Sequence, residues 1–214
     1  MVDGSRQVIL LGGGGHAMVC RETLLAKRYA IIGYLSPEPT ERFKELLPYL
    51  GSEAEGAIIS FIPQDVTLVN GIGSKVGSKL REEIFESMKN LGYSFLTLIH
   101  ESAILGSNVE VDEGSQVMAG CVIQPSVLIK RNSIINTRAS LDHDTIVGSH
   151  VHIGPGATLC GGVQVEDGAY IGAGSTVIQG VHIGRNSVIG AGSVVIRDVA
   201  PHTVVTGVPA KERV

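Results

Sequence analysis

Residues 141–194 read LDHDTI-VGSHVH-IGPGAT-LCGGVQ-VEDGAY-IGAGST-VIQGVH-IGRNSV-IGAGSV. Every block opens on an aliphatic residue, and its fifth position is small or β-branched. Followed outward, the register runs unbroken from Leu105 to Val195, sixteen consecutive aliphatic positions spaced six apart. Glycine often comes next, as at Gly106, Gly148, Gly154, Gly172, Gly184 and Gly190. A period of six fits neither a helix nor a long uninterrupted strand. It fits a parallel β-helix, in which a short strand and a turn alternate. Three hexads then make one triangular coil of 18 residues, with the aliphatic position inward and stacked on its equivalent one coil away. Glycine is expected to take up the backbone angles of the turn. Sixteen hexads give just over five coils, roughly 25 Å at about 4.8 Å per strand spacing.

Composition narrows the function classes. The chain has 214 residues, 43% hydrophobic and 18% charged, which suits one or two cored domains. The net charge is −4 and no basic stretch occurs, so a nucleic-acid surface is not expected. No apolar run approaches the roughly 18 residues of a membrane span, and the N-terminus lacks a cleavable signal pattern. The expectation is a cytoplasmic protein with no membrane insertion. Cys20, Cys121 and Cys160 are far apart and form no CxxC, which points to free thiols in a reducing compartment.

The first hundred residues follow a different grammar. The aliphatic run Val8 to Leu11 leads into Gly12-Gly13-Gly14-Gly15-His16-Ala17, and Met18 to Lys27 is helix-compatible. Ala30 to Leu35 and Val66 to Asn70 read as buried strands, the latter followed by Gly71-Ile72-Gly73. Leu80 to Asn90 is amphipathic, and Phe95 to Leu98 reads as a further strand; Leu46 to Ile62 is ambiguous. Strand, glycine turn, helix and strand open a doubly wound α/β unit. Backbone N–H groups in such a turn, with the helix N-terminus, can hold phosphate oxygens. The unit is too short for two mononucleotide halves, and Ser36-Pro37 stands where a dinucleotide site has an acid. A single nucleoside diphosphate fits better than NAD. The reading divides the chain into residues 1–100, an α/β domain with a small Rossmann-like parallel sheet that the resemblance given below makes nucleotide-sugar-binding, and residues 101–214, a β-helix.

Within the repeat, one stretch departs from plain repeat composition: Asn136-Thr137-Arg138-Ala139-Ser140-Leu141-Asp142-His143-Asp144. His143 comes two residues after inward Leu141, so it belongs to a turn and projects outside the coil. Histidine is the side chain best suited near neutral pH to take a proton from a nucleophile. A neighbouring carboxylate can fix its tautomer and stabilise the imidazolium. Asp142 and Asp144 both qualify, and spacing does not choose between them. One coil above His143 is Gly161, and the column Pro155, Ala173, Ala191 is small at every level. Such a column leaves a groove for a long thin molecule such as the pantetheine arm of coenzyme A. Zinc is not expected. Hexapeptide β-helices that resemble gamma-class carbonic anhydrases pair two histidines five residues apart with a third 36 away, and His100, His143, His150, His152, His182 and His202 offer neither spacing.

The glycine-rich start, Ile135-Asn136-Thr137 leading to Asp142-His143-Asp144, the Gly161-Gly162 turn and the closing Gly207-Val208-Pro209-Ala210-Lys211 occur together and in order. Together they resemble the sugar-nucleotide N-acetyltransferases that act on bacillosamine and perosamine precursors, and the related sialic acid O-acetyltransferases. The resemblance implies a left-handed β-helix, a homotrimer with active sites between subunits, and acetyl-CoA lying between neighbouring helices. It implies acetyl transfer to the C4 amino group of a nucleotide-linked 4-amino-4,6-dideoxy sugar, with no metal. O-acetylation of a sialic acid or another sugar hydroxyl is the alternative in the same superfamily, and an inert trimeric scaffold is the alternative outside it. By the same resemblance His143 is similar to the catalytic base and Asp144 to the acid that orients it. Asn136 matches a residue near the sugar's amine and His152 one near the thioester, while Gly161, Ala173 and Ala191 match coenzyme A contacts. Gly13, Gly14, His16 and Gly73 lie where the nucleotide is held. Ser36 occupies the substrate-binding place where the family usually has Asp, and the arginine usual about five residues after Gly73 is displaced to Arg81.

Overall fold

The computed structural model describes residues 7–52 and 56–213. Part of the ambiguous segment, residues 53–55, and both chain ends (1–6 and 214) lie outside the described residues. The chain divides into two compact units, Met1–Leu98 and Ile99–Val214.

The first unit is built on alternating strands and helices. Strand β1 (Gln7–Leu11) is followed by helix α1 (Gly15–Ala26), strand β2 (Ile31–Leu35), strand β3 (Val66–Asn70) and helix α2 (Leu80–Asn90). The sheet has the order β2-β1-β3 and every pair is parallel. The chain thus crosses from one side of β1 to the other between β2 and β3. The C-terminal end of β1 is therefore a topological switch point, the place where open α/β sheets bind ligands. Ile9, Leu11, Leu35, Ile58, Leu68, Phe85 and Met88 form the core, with the rings of Phe85 and Phe95 packed at 4.4 Å between centroids.

Two details differ from the sequence reading. Helix α1 begins three residues earlier than Met18, because Gly14 takes the extended N-cap conformation and draws Gly15, His16 and Ala17 into the first turn. The expected strand from Phe95 makes only a single bridge, Leu68↔Phe95, closed by Leu68 N–H to Ser94 O and Leu96 N–H to Leu68 O; a separate two-residue strand, Leu98–Ile99, follows.

The second unit is a parallel β-helix of about six turns. Its two-residue strands stack into three sheets, and the ladder register advances 18 residues per level, as in Ile134↔His152, Ser140↔Thr158 and Ile146↔Gln164. Fourteen of the sixteen inward aliphatic positions, from Val117 to Val195, are buried; Leu105 and Val111, in the first coil, are half-buried. An antiparallel pair, Val205↔Glu212 and Thr206↔Lys211, closes the last coil.

The glycines after the inward positions serve a different purpose from the one expected. A Cβ on Gly154 would lie 2.6 Å from the backbone nitrogen of Ala173, and one on Gly172 would lie 2.5 Å from that of Ala191. These positions need close backbone approach between coils rather than unusual dihedral angles. The positive φ falls two residues later, on glycines such as Gly156 (65°) and also on Asn132 (56°), Asp144 (59°) and His150 (59°). Asn and Asp tolerate this left-handed region better than most residues, so the turn accepts them there.

Candidate active site

His143 stands at a corner of the β-helix, between the strands Ser140–Leu141 and Ile146–Val147. Its ring is exposed, and Nδ1 lies 2.8 Å from Asp144 Oδ2. The left-handed backbone of Asp144, φ 59°, folds that carboxylate back beside the preceding residue's ring. Asp142 engages the backbone instead, where its Oδ1 accepts the N–H of His143 at 2.9 Å and caps the turn. The geometry thus separates the two aspartates that spacing could not. The hydrogen bond to Asp144, followed by the negative charge of Asp142, raises the imidazole pKa above its ordinary value. With Nδ1 engaged, Nε2 is the nitrogen left to exchange a proton with a reactant.

The next coil shapes that nitrogen's surroundings. A Cβ on Gly161 would lie 2.6 Å from His143 Nε2 and 2.7 Å from Cε1, so the ring rests against the glycine. The ladder Gly162 N–H to His143 O, 2.8 Å, fixes the two coils in register. The N–H of Gly161 donates to no acceptor among the described residues, nor do those of Ala173 and Ala191. At two other positions of the same kind a side chain closes the group: Asn136 Oδ1 accepts from Thr137 N–H at 2.8 Å, and Asp167 Oδ1 from Ser149 N–H at 2.8 Å. Uncapped amides at Gly161, Ala173 and Ala191 are open donors for a ligand.

The sequence candidates in this unit fall in three places. His143, Asp144 and Gly161 share one corner. Asn136, Ala173 and Ala191 belong to another, whose column is tied by Gly156 N–H to Thr137 O, Gly174 N–H to Pro155 O and Gly192 N–H to Ala173 O. His152 lies in a strand of the sheet that does not border the His143 corner; it is 6% exposed and stacks on Tyr170 with centroids 4.6 Å apart. A single chain does not gather all of these residues around one ring.

The glycine turn of the first unit does gather its candidates. A Cβ on Gly13 would strike Thr40 Cγ2 and lie 3.4 Å from Ser36 Oγ, so the end of β2 comes close over the turn after β1. A Cβ on Gly73 would lie 3.3 Å from His16 Cβ, which brings the turn after β3 against the start of α1. Gly14 and Gly15 have open space above them, and the N–H groups of Gly13, Gly14, Gly15 and Gly73 have no acceptor among the described residues. Ser36 is buried and its Oγ donates to Glu38 O at 2.5 Å, so this hydroxyl shapes its own loop.

Arg81, the arginine displaced along the sequence, has surroundings that its position alone does not reveal. The side chain is buried, and Nη1 donates to Asn70 O at 2.7 Å and Ile72 O at 2.8 Å. Its signal in the sequence is the spacing of Arg81, Phe85 and Met88, the buried stripe of α2. Lys75 and Lys79 are exposed in the loop before α2. Among the described residues, no group of three or more His, Cys, Asp or Glu side chains is placed to hold a metal ion, and no helix is long and apolar enough to cross a membrane.

Comparison with known proteins matches this division. Residues 7–88 match the PglD N-terminal domain family. Residues 162–197 match the bacterial transferase hexapeptide family (six repeats), and residues 144–179 the hexapeptide repeat of succinyl-transferase. The structure is similar to PerB from Caulobacter crescentus, crystallised with CoA and GDP-perosamine, at 35% identity over 97% of each chain with a TM-score of 0.87. It is similar to the acetyltransferase domain of PglB from Neisseria gonorrhoeae FA1090, at 29% identity over 97% of this chain and 100% of that one, with a TM-score of 0.89. WeeI from Acinetobacter baumannii AYE, 21% identical over 97% of this chain and all of its own, with a TM-score of 0.87, shares the fold. With more than a third of its residues shared with PerB across both units, the chain belongs to the sugar-nucleotide N-acetyltransferases of the hexapeptide-repeat superfamily.

Proposed function

We propose that this protein transfers the acetyl group of acetyl-CoA to the C4 amino group of a nucleotide-linked 4-amino-4,6-dideoxy sugar, with His143 as general base. The observation that carries the reading is the His143–Asp144 pair, 2.8 Å apart, with Nε2 set against Gly161, a residue whose N–H is uncapped among the described residues. That the neighbour from Caulobacter was solved with CoA and GDP-perosamine, and the domain from Neisseria with acetyl coenzyme A, supports the choice of both substrates.

The chemistry follows from the groups at that corner. The neutral amine attacks the thioester carbonyl and a C–N bond forms. Nε2 of His143 takes the amine's proton, and Asp144 stabilises the imidazolium. Negative charge collects on the carbonyl oxygen, where the Gly161 N–H is an available donor. The C–S bond then breaks, the imidazolium gives its proton to the departing sulfur, and His143 returns to its neutral form. The products are the amide and free coenzyme A.

The separation of candidates within one chain supports a site shared between copies. The uncapped amides of Ala173 and Ala191 would hold the pantetheine arm on one subunit while His143 of its neighbour reaches the thioester. His152 would complete the slot from its own face. In the first unit, the open amides of Gly13, Gly14 and Gly73, with His16, would grip the diphosphate and ribose, and Asn136 would sit near the sugar's amine. Use of acetyl-CoA and the three free thiols support a cytoplasmic location.

The test is a panel of UDP-, GDP- and dTDP-linked 4-amino sugars incubated with acetyl-CoA, with sialic acids in parallel. The expected result is saturable N-acetylation of one nucleotide sugar, which also raises the melting temperature most. Acetylation of sialic acids alone would overturn the reading.

A further inference from the structure

Arg81 takes no part in the acetyl transfer described above, yet it is a charged side chain only 6% exposed. A methionine or leucine would fill the same stripe of α2, beside Phe85 and Met88, without taking a charge out of water. Burial pulls the guanidinium pKa down to about 10, which still leaves it charged at neutral pH. What the charge obtains there is two backbone carbonyls, Asn70 O at 2.7 Å and Ile72 O at 2.8 Å. Asn70 ends β3, and Ile72 lies in the turn that follows. Asn70 secures the same turn from the other side: its Nδ2 donates to Arg81 O at 3.0 Å, and its Oδ1 accepts the N–H of Ile72 at 3.2 Å.

Peptide geometry turns these contacts into directions. In a trans peptide the C=O of one residue and the N–H of the next point opposite ways. The Asn70–Gly71 and Ile72–Gly73 bonds are both trans. Arg81 holds the Asn70 carbonyl, and the Gly71 N–H accordingly points away, to Leu11 O at 2.8 Å. Arg81 holds the Ile72 carbonyl in the same way, so the Gly73 N–H must also point away from the guanidinium. That N–H has no acceptor among the described residues, and Gly73 packs on His16 beside the turn after β1.

We infer that Arg81 is a positioning residue, which sets the Gly71–Gly73 turn so that the Gly73 amide is presented to the diphosphate of the nucleotide sugar. It acts from behind the turn and touches no substrate. The inference rests on the proposal that the first unit grips a nucleoside diphosphate.

The test compares the full-length wild type with Arg81→Lys and Arg81→Met. Lysine keeps a cation but ends one bond short of the Nη1 position that meets both carbonyls, and methionine keeps the bulk without donors. Steady-state kinetics with acetyl-CoA and the nucleotide-linked amino sugar that the panel selects are paired with calorimetric titration of GDP, UDP and dTDP, which report on the diphosphate grip without chemistry. Loss of charge-assisted positioning is expected to weaken nucleotide-sugar KM and nucleoside diphosphate affinity roughly 10- to 100-fold. The kcat and the KM for acetyl-CoA should stay as in wild type, and Arg81→Lys should fall between the other two. Should Arg81→Met not fold, Arg81→Lys with the calorimetric titrations decides alone. Unchanged nucleotide affinity in a folded variant overturns the inference and leaves the proposed function standing. A uniform loss in kcat and both KM values overturns it in favour of a general structural role. If the wild type itself turns over none of the UDP-, GDP- and dTDP-linked 4-amino sugars and binds none of GDP, UDP and dTDP, the underlying reading of the first unit falls, and this inference with it.

Discussion

At the residue scale the proposed chemistry rests on three neighbours: His143, Asp144 and Gly161. Replacing His143 by alanine removes the proposed base, and kcat should fall by roughly 10²- to 10⁴-fold in a coupled thiol-release assay. The pH dependence carries a sign. Asp144 raises the imidazole pKa, and the base works only when neutral, so the acidic limb of kcat/KM should lie above the ordinary imidazole range. Asp144→Asn removes the largest cause of that rise and should move the limb to lower pH, with a smaller loss of maximal rate than His143→Ala. Asp142→Asn should move it less, since its effect acts at a distance and its carboxylate caps the turn. An unmoved limb in Asp144→Asn would detach Asp144 from the base. Gly161→Ala places a methyl group where the ring now rests, 2.6 Å from Nε2, at a residue with no positive φ to defend. Its rate should fall well below wild type while its melting temperature changes little.

At the element scale the β-helix makes two kinds of demand on glycine, and the two should separate in a urea titration. Gly172→Ala drives a methyl into the backbone of the next coil, and we expect a loss of about 1–3 kcal/mol, as for overpacking. Gly174 has φ 65° with open space around it, so Gly174→Ala should lose only about 1 kcal/mol through strained dihedrals. Equal losses would show that contact between coils does not discriminate the sites. This distinction is hidden in the sequence, where both positions are simply glycine in a hexad. The inward stacking is plain there, because the period from Leu105 to Val195 never slips and each inward residue meets its equivalent 18 residues on. Strands β2 and β3 are readable for a similar reason: short aliphatic runs flanked by glycine or polar turns. Arg81 is legible only as a member of the Arg81, Phe85, Met88 stripe; what it serves is not, until the carbonyls it binds are placed in space.

At the scale of the whole molecule, sequence periodicity puts His143 over Gly161 and Ala173 under Ala191 but does not show which sheets border each column. That takes the three sheets. Asn136, Ala173 and Ala191 share one corner, His143 another, and His152 a face away from it. The expected consequence is an obligate oligomer. Light scattering should give a trimer, and mixing an inactive His143→Ala subunit with one carrying a bulky Ala173→Arg substitution should restore some activity, since one kind of shared site then contains neither change. No recovery on mixing would mean that each chain completes its own site.

The most direct measurement is a crystal structure with coenzyme A and the preferred nucleotide-linked amino sugar bound together. The sugar's amino nitrogen is expected within about 3 Å of His143 Nε2, hydrogen-bond reach for a base. The thiol of coenzyme A should lie beside that nitrogen, against Gly161. An amino nitrogen far from that ring in every copy of the assembly would contradict the assignment.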